Sequence, residues 1–156
     1  MVRARHQYER LPWADRFNRP TDRMLRAPLP SPHASLLEQA RQRLADIPGL
    51  EERIAWQGAC WRWTFAYHAP DLGRVAAIII PNPSDLQVAV PVQQAFVRSV
   101  LVRRLRRALR EGLELAAEPF DTEWGMWSIT SETLLHEVAA LAREQVAFSR
   151  SQSRVT

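Results

Sequence analysis

Lysine is missing from this chain: all 21 basic residues among its 156 are arginine, a usage that, with its abundant alanine and proline, reads as GC-rich bacterial coding. Cysteine is nearly missing as well. Cys60 stands alone, which excludes an intrachain disulfide framework and every zinc or iron-sulfur motif built from several cysteines, and leaves Cys60 the role of a small buried hydrophobe. Five glycines supply little material for phosphate-cradling loops. Neither a nucleophile elbow, nor paired histidines at i, i+4, nor a His-x-Glu motif with downstream cysteines occurs. Asp121 and Glu123 beside Trp124 are two acids of a turn, better explained by solvation than as an acid-base pair. A non-enzymatic protein without a cofactor or a metal is therefore expected. The longest apolar run, Val75 to Ile80, is far too short to cross a bilayer, so no membrane partner is expected. Arg3 and Arg5 have no apolar segment behind them, and Glu9 and Asp15 argue against a transit peptide, which makes the cytoplasm the expected location.

What the chain does have is aromatic periodicity. From Trp61 to Tyr67 every odd position is aromatic, and a period of two predicts a strand with Trp61, Trp63, Phe65 and Tyr67 in one row. Around it the remaining elements fall into order. Ser31-Pro32 opens a helix reaching about Asp46, with Leu36, Leu37, Ala40 and Leu44 on one face and Pro48-Gly49 as its stop. Arg53 to Gln57 predicts a strand forming a hairpin with the aromatic one, Arg74 to Ile80 a central strand apolar on both faces, and Leu86 to Val90 a fourth. Pro91 then predicts a long helix over Val92 to Gly112. Glu123 to Ile129 supplies a fifth strand, and a helix capped at Thr130 or Ser131 closes the domain near Phe148. The expectation is an α+β domain over 31–148, an antiparallel sheet of about five strands covered by two or three helices, in the order α-β-β-β-β-α-β-α. The polar residues 149–156 are expected to be a disordered tail.

Charge is unevenly placed. Residues 1–30 hold seven arginines against three acids, a net +4, whereas the rest of the chain balances fourteen against fourteen. Pro12, Pro20, Pro28 and Pro30 make that basic N-terminal arm an extended segment, with a helical turn near Asp22 to Leu25 and with Trp13, Phe17, Met24 and Leu25 available to pin it.

Three binding surfaces follow as expectations. Five tryptophans in the domain offer more aromatic area than packing alone needs, so the row is expected to open at one end, beside Trp61 and Trp63, into a site for a small molecule or peptide whose mouth Tyr67, Arg62 and His68 would line. Arg103, Arg106, Arg107 and Arg110 gather on one arc of the long helix and would suit phosphates, an alternative as a nucleic-acid binder, although no interleaved aromatic is there for base stacking except Phe96. Phe96 and Val100 fall on that same arc, where apolar groups have no core to enter, and suggest a homodimer contact.

This element order, together with Trp56-x4-Trp61-x-Trp63, the Ile80-Pro81 strand end and Trp124-Gly125-Met126-Trp127 ahead of the last helix, resembles the small bacterial α+β domains of the YdhG-like group, distantly similar to frataxin. The resemblance covers about Ser31 to Phe148. Some members of that fold group are implicated as iron-handling chaperones, which implies a carboxylate-rich surface on the first helix. Here that helix offers Glu38 and Asp46, eight residues apart among arginines, too few oxygen ligands for a hard cation.

Overall fold

The structure is a computed structural model and describes residues 11–98, 107–114 and 122–155. Five antiparallel strands pair in chain order: β1 (Glu51–Trp56), β2 (Trp63–Ala69), β3 (Arg74–Asn82), β4 (Asp85–Gln93) and β5 (Thr122–Ser128). With helices ahead of, between and behind the strands, the fold is α+β. β3 sits in the middle with Ile78, Ile79 and Ile80 fully buried, as a strand apolar on both faces must be.

Helix α1 (Asp22–Arg26) lies in the N-terminal segment, where the Thr21 hydroxyl accepts from the Met24 amide at 3.2 Å as its cap. Helix α2 (Ser31–Ala45) buries Leu36, Leu37, Ala40 and Leu44, the stripe its 3.6-residue period places on one side. It packs against α6 (Glu132–Ser153), and both lie on the sheet. The two helices are joined at the surface by Gln39 Nε2, which donates to Glu132 Oε1 at 3.0 Å. The short α5 (Arg107–Glu114) rests on β5 and on α6. Its Gly112 faces the Trp127 indole, where a Cβ would collide, and Trp127 Nε1 donates to the Leu109 carbonyl at 3.0 Å.

Five expectations are corrected. First, β2 begins at Trp63: Gly58–Trp61 forms a helical turn, α3, and Arg62 adopts φ 61°, rare for a side-chain-bearing residue. That kink takes Trp61 out of the aromatic row and sets its ring 5.2 Å from Trp124, edge to face. Cys60 sits on the same turn, and it is exposed rather than buried.

Second, β4 continues through Pro91 to Gln93, so no helix starts at Val92. Beyond Ala89 this strand pairs with β5 alone, which leaves a side where the missing proline N–H breaks no ladder, and buried Val90 and Val92 reward the extension. A four-residue helix, α4 (Gln94–Val97), follows, and residues 99–106 lie outside the described ones. Third, Phe96 is buried, its ring 5.6 Å from that of Phe148. It belongs to the core and is no dimer contact; Val100 lies outside the described residues.

Fourth, α6 runs to Ser153, past the expected end near Phe148. The extra turn is held by a buried cluster in which Gln145 Nε2 donates to Ser149 Oγ at 3.0 Å and to Gln93 Oε1 at 3.3 Å. Fifth, of the four residues expected to pin the N-terminal segment, Trp13 and Leu25 do so, whereas Phe17 and Met24 are exposed. Trp13, Leu25 and Leu29 are buried, Trp13 Nε1 donates to the Trp61 carbonyl at 3.1 Å, and Trp63 Nε1 donates to the Asp15 carbonyl at 2.6 Å. Two indole N–H groups that burial would otherwise strand thus anchor the segment across the start of β2.

Candidate functional site

The aromatic row survives from Trp63 onward, since Trp63, Phe65 and Tyr67 pair opposite Trp56, Ile54 and Glu52 and share a face. That face is covered. Trp63 packs edge-on against Trp56 with ring centres 5.7 Å apart, and Phe65 lies under the Arg41 guanidinium at 4.6 Å. Tyr67 has no exposed surface, and its hydroxyl donates to Glu52 Oε2 at 2.5 Å. Arg62 stacks on Trp13 at 4.6 Å, on the N-terminal segment, and His68 is half-buried on β2. These five candidates therefore do not converge on a mouth: Trp61 and Arg62 leave the strand, while Trp63 and Tyr67 face inward.

Under α2 the row ends in a polar knot. Arg41 Nη2 donates to Glu52 Oε1 at 2.8 Å, and its Nη1 lies 3.4 Å from Glu38 and 3.5 Å from Asp22. The hydrogen bond that Arg41 donates to Glu52, and the surrounding carboxylates, raise the Arg41 pKa. Burial works to raise the Glu52 carboxyl, but the hydrogen bonds from Arg41 and Tyr67 outweigh it and hold Glu52 below its ordinary range. Burial first, then the bond to Glu52, pushes the Tyr67 phenol well up. The knot binds β1, β2, α1 and α2 together.

A different arrangement occupies the C-terminal half of α6. Arg143, Ala147, Arg150 and Arg154 recur at i, i+4, i+7 and i+11, which puts them on one face over roughly 16 Å of helix. Opposite them stand the turn after α2, with Ile47, Pro48 and Gly49, and the 3-10 turn Pro70–Leu72 between β2 and β3. The result is an open groove in two joined parts. One part, of about 700 Å3, is lined by Pro48, Gly49, Pro70, Leu72, Arg150 and Arg154 among others. The second, of about 380 Å3, shares Pro48, Arg150 and Arg154 and adds Arg143, Val146 and Ala147.

Arg150 is fixed in the groove wall. Its Nε donates to Asp71 Oδ2 at 2.9 Å and its Nη2 to Asp71 Oδ1 at 3.3 Å, a fork on a carboxylate, and the Arg150 hydrogen bond lowers the Asp71 pKa. Gly49 makes room for it: φ is 79°, and a Cβ there would stand 2.6 Å from Arg150 Nη2. Asp71 balances one charge only. Arg143 and Arg154 form no ion pair among the described residues; Arg143 also borders a neighbouring recess that holds Asp46 and Glu144, so Arg154 is the groove's clear excess cation. Further along α2 and α6, a recess of about 220 Å3 mixes Arg43 and Arg143 with Asp46, Glu144 and His136, and has no such excess. The three arginines were readable as a helix face, but with residues 149–156 expected to be disordered, two of them fell beyond the last expected turn.

Of the arginines considered for nucleic acid, Arg107 is paired with Glu111 at 2.8 Å, Arg110 is exposed on α5, and Arg103 and Arg106 lie outside the described residues. Among the described residues no three His, Cys, Asp or Glu side chains converge as metal ligands, and no helix is long and apolar enough to cross a membrane. No protein-family model, curated protein or solved structure matches the chain.

Proposed function

We propose that the chain is a non-catalytic binding module whose groove along α6 takes an anionic group, a carboxylate or a phosphate, carried by a small molecule or a peptide. One observation carries this reading: the Asp71 fork and the Gly49 clearance hold Arg150 in the wall of a roomy groove in which Arg154 and Arg143 form no ion pair among the described residues. A guanidinium already held in place loses little freedom when an anion arrives, and its planar fork suits oxyanions. Prolines and aliphatic side chains form the opposite wall, so the carrier of the anion has apolar surface to lie against.

The test is an NMR titration of the full chain with pyrophosphate and, separately, with citrate. Shifts confined to residues 47–49, 70–72 and 143–154, abolished in the double variant Arg150→Ala, Arg154→Ala, are the expected result. Shifts elsewhere, or none up to about 10 mM, reject the groove, since even millimolar affinity corresponds to only about 4 kcal/mol.

A further inference from the structure

Four large hydrophobic residues stand exposed among those described: Leu11, Phe17, Met24 and Val155. Three of the four belong to one stretch of the N-terminal segment. The inward side of that stretch is Trp13, Pro20, Leu25 and Leu29, all buried against the domain; its outward, exposed residues include Leu11, Phe17 and Met24 together with Arg16, Arg19 and Arg23 and the single acid Asp22. Those three arginines form no ion pair among the described residues, whereas Arg26, the next along, is tied to Glu38 at 3.1 Å.

Phe17 is also held out deliberately. It is 81% exposed, at the tip of a loop whose shape is set by Asp15: Oδ1 accepts from the Phe17 amide at 3.1 Å and Oδ2 from Asn18 Nδ2 at 2.7 Å. The Asp15 carbonyl is in turn fixed by the Trp63 indole. A phenyl ring this exposed, on a loop held by its own hydrogen bonds, is available for a contact outside the domain.

We propose that this outward side is a docking surface for an anionic lipid bilayer, with Phe17 inserted at the headgroup boundary and Leu11 and Met24 resting beside it. Two features favour lipid over a protein pocket. The apolar groups are separated along the segment and interleaved with cations, the distribution that suits a fluid anionic plane, whereas a protein hot spot concentrates its anchors in one desolvated cluster. Over the described residues 11–30, Arg16, Arg19, Arg23 and Arg26 outnumber the two acids Asp15 and Asp22, an excess of positive charge that suits an anionic surface. The surface lies on a different segment from the α6 groove and does not rest on the reading given to that groove.

The test is co-sedimentation of the full chain with vesicles of phosphatidylcholine alone and of phosphatidylcholine with about 30% phosphatidylserine. Binding to the anionic vesicles only is expected, weakened about tenfold by Phe17→Ala and about fivefold by each of Arg16→Ala, Arg19→Ala and Arg23→Ala. All four side chains are exposed, so an unchanged urea midpoint is expected to accompany each loss. Arg154→Ala is expected to bind like the parent, and inorganic phosphate at 10 mM or soluble glycerophosphoserine is expected not to compete, which separates a bilayer from its headgroup. Failure to sediment with either vesicle, equal binding to both, or full binding by Phe17→Ala would each overturn the proposal; so would loss of binding in Arg154→Ala, since that places the contact at the groove.

Discussion

Arg41 and Arg150 are both half-buried helix arginines paired with a carboxylate, yet they do opposite things. Arg41 reaches Glu52, Glu38 and Asp22 and lies over Phe65, so its charge and its flat face are both used within the protein. Arg150 has a single partner, Asp71, beside an open groove with Arg154 and Arg143 as neighbours. An arginine surrounded by protein carboxylates is a strut, and one oriented by a single carboxylate at the rim of a cavity has the geometry of the recognition group proposed above. What separates them is the count of acids in reach, not their burial or their helix.

Breaking the strut should give the largest effect. Glu52→Ala leaves the fully buried Tyr67 hydroxyl and the Arg41 fork without their shared acceptor, and is expected to cost about 2 kcal/mol in urea unfolding, because Glu38 and Asp22 retain part of the Arg41 charge. Tyr67→Phe removes the hydroxyl with its bond and is expected to cost about 1 kcal/mol. A loss under about 0.5 kcal/mol in Glu52→Ala would show that the knot is ornamental.

The same knot has a pH signature. The Glu52 carboxyl is held below its ordinary value of 4.5 in the folded state, so the native protein binds fewer protons there than the unfolded chain. Its contribution to stability is present above pH 4.5 and is lost as pH falls through the lower folded value. Tyr67 acts at the other end: its raised phenol contributes fully below pH 10 and loses that contribution as pH rises beyond it. Unfolding midpoints of the parent and of Tyr67→Phe are therefore expected to converge as the solution passes above pH 10; parallel curves would contradict this.

Gly49→Ala probes the second arginine through its surroundings. The backbone sits at φ 79°, where alanine is strained, and the new methyl group would push aside Arg150 Nη2, the far end of a flexible side chain. A stability loss of about 1 kcal/mol is expected, together with weaker pyrophosphate binding, because the guanidinium loses its fixed place. A variant that loses stability but binds as before would show that the position of Arg150 is irrelevant to the groove.

Much of the scaffold could be read from the chain because strand alternation and helix stripes are local: β3 with both faces apolar, the α2 stripe and the order of the five strands all follow from short windows. The failures share a cause, which is that tertiary contacts overrode a local signal. Pro91 looked like a helix start, but a strand paired on one side only tolerates it. Ser149 and Arg150 looked like a polar tail, but Gln93 and Asp71, more than fifty residues away in sequence, give them partners. Trp61 kept the period of its neighbours, yet Arg62 turns the backbone before the strand begins. The groove was hidden for the same reason, since its opposite wall comes from two turns whose proximity to α6 no spacing encodes.

The finest test of the comparison keeps the charge and changes its shape. Arg154 is exposed and unpaired among the described residues, so Arg154→Lys is expected to leave the urea midpoint within about 0.5 kcal/mol of the parent. A lysine ammonium still attracts an anion, but it is a compact, strongly hydrated point charge without the planar pair of donors that grips two oxygens at once. Pyrophosphate affinity is therefore expected to fall about threefold in Arg154→Lys and about tenfold in Arg154→Ala. Equal affinity in lysine and parent would mean that the groove senses net charge alone, and the analogy with the oriented fork of Arg150 would fail. The same substitution at Arg41 is expected to destabilise the fold, because there the geometry of the fork, bonded to Glu52 through Nε and Nη2 at once, is what joins α2 to β1.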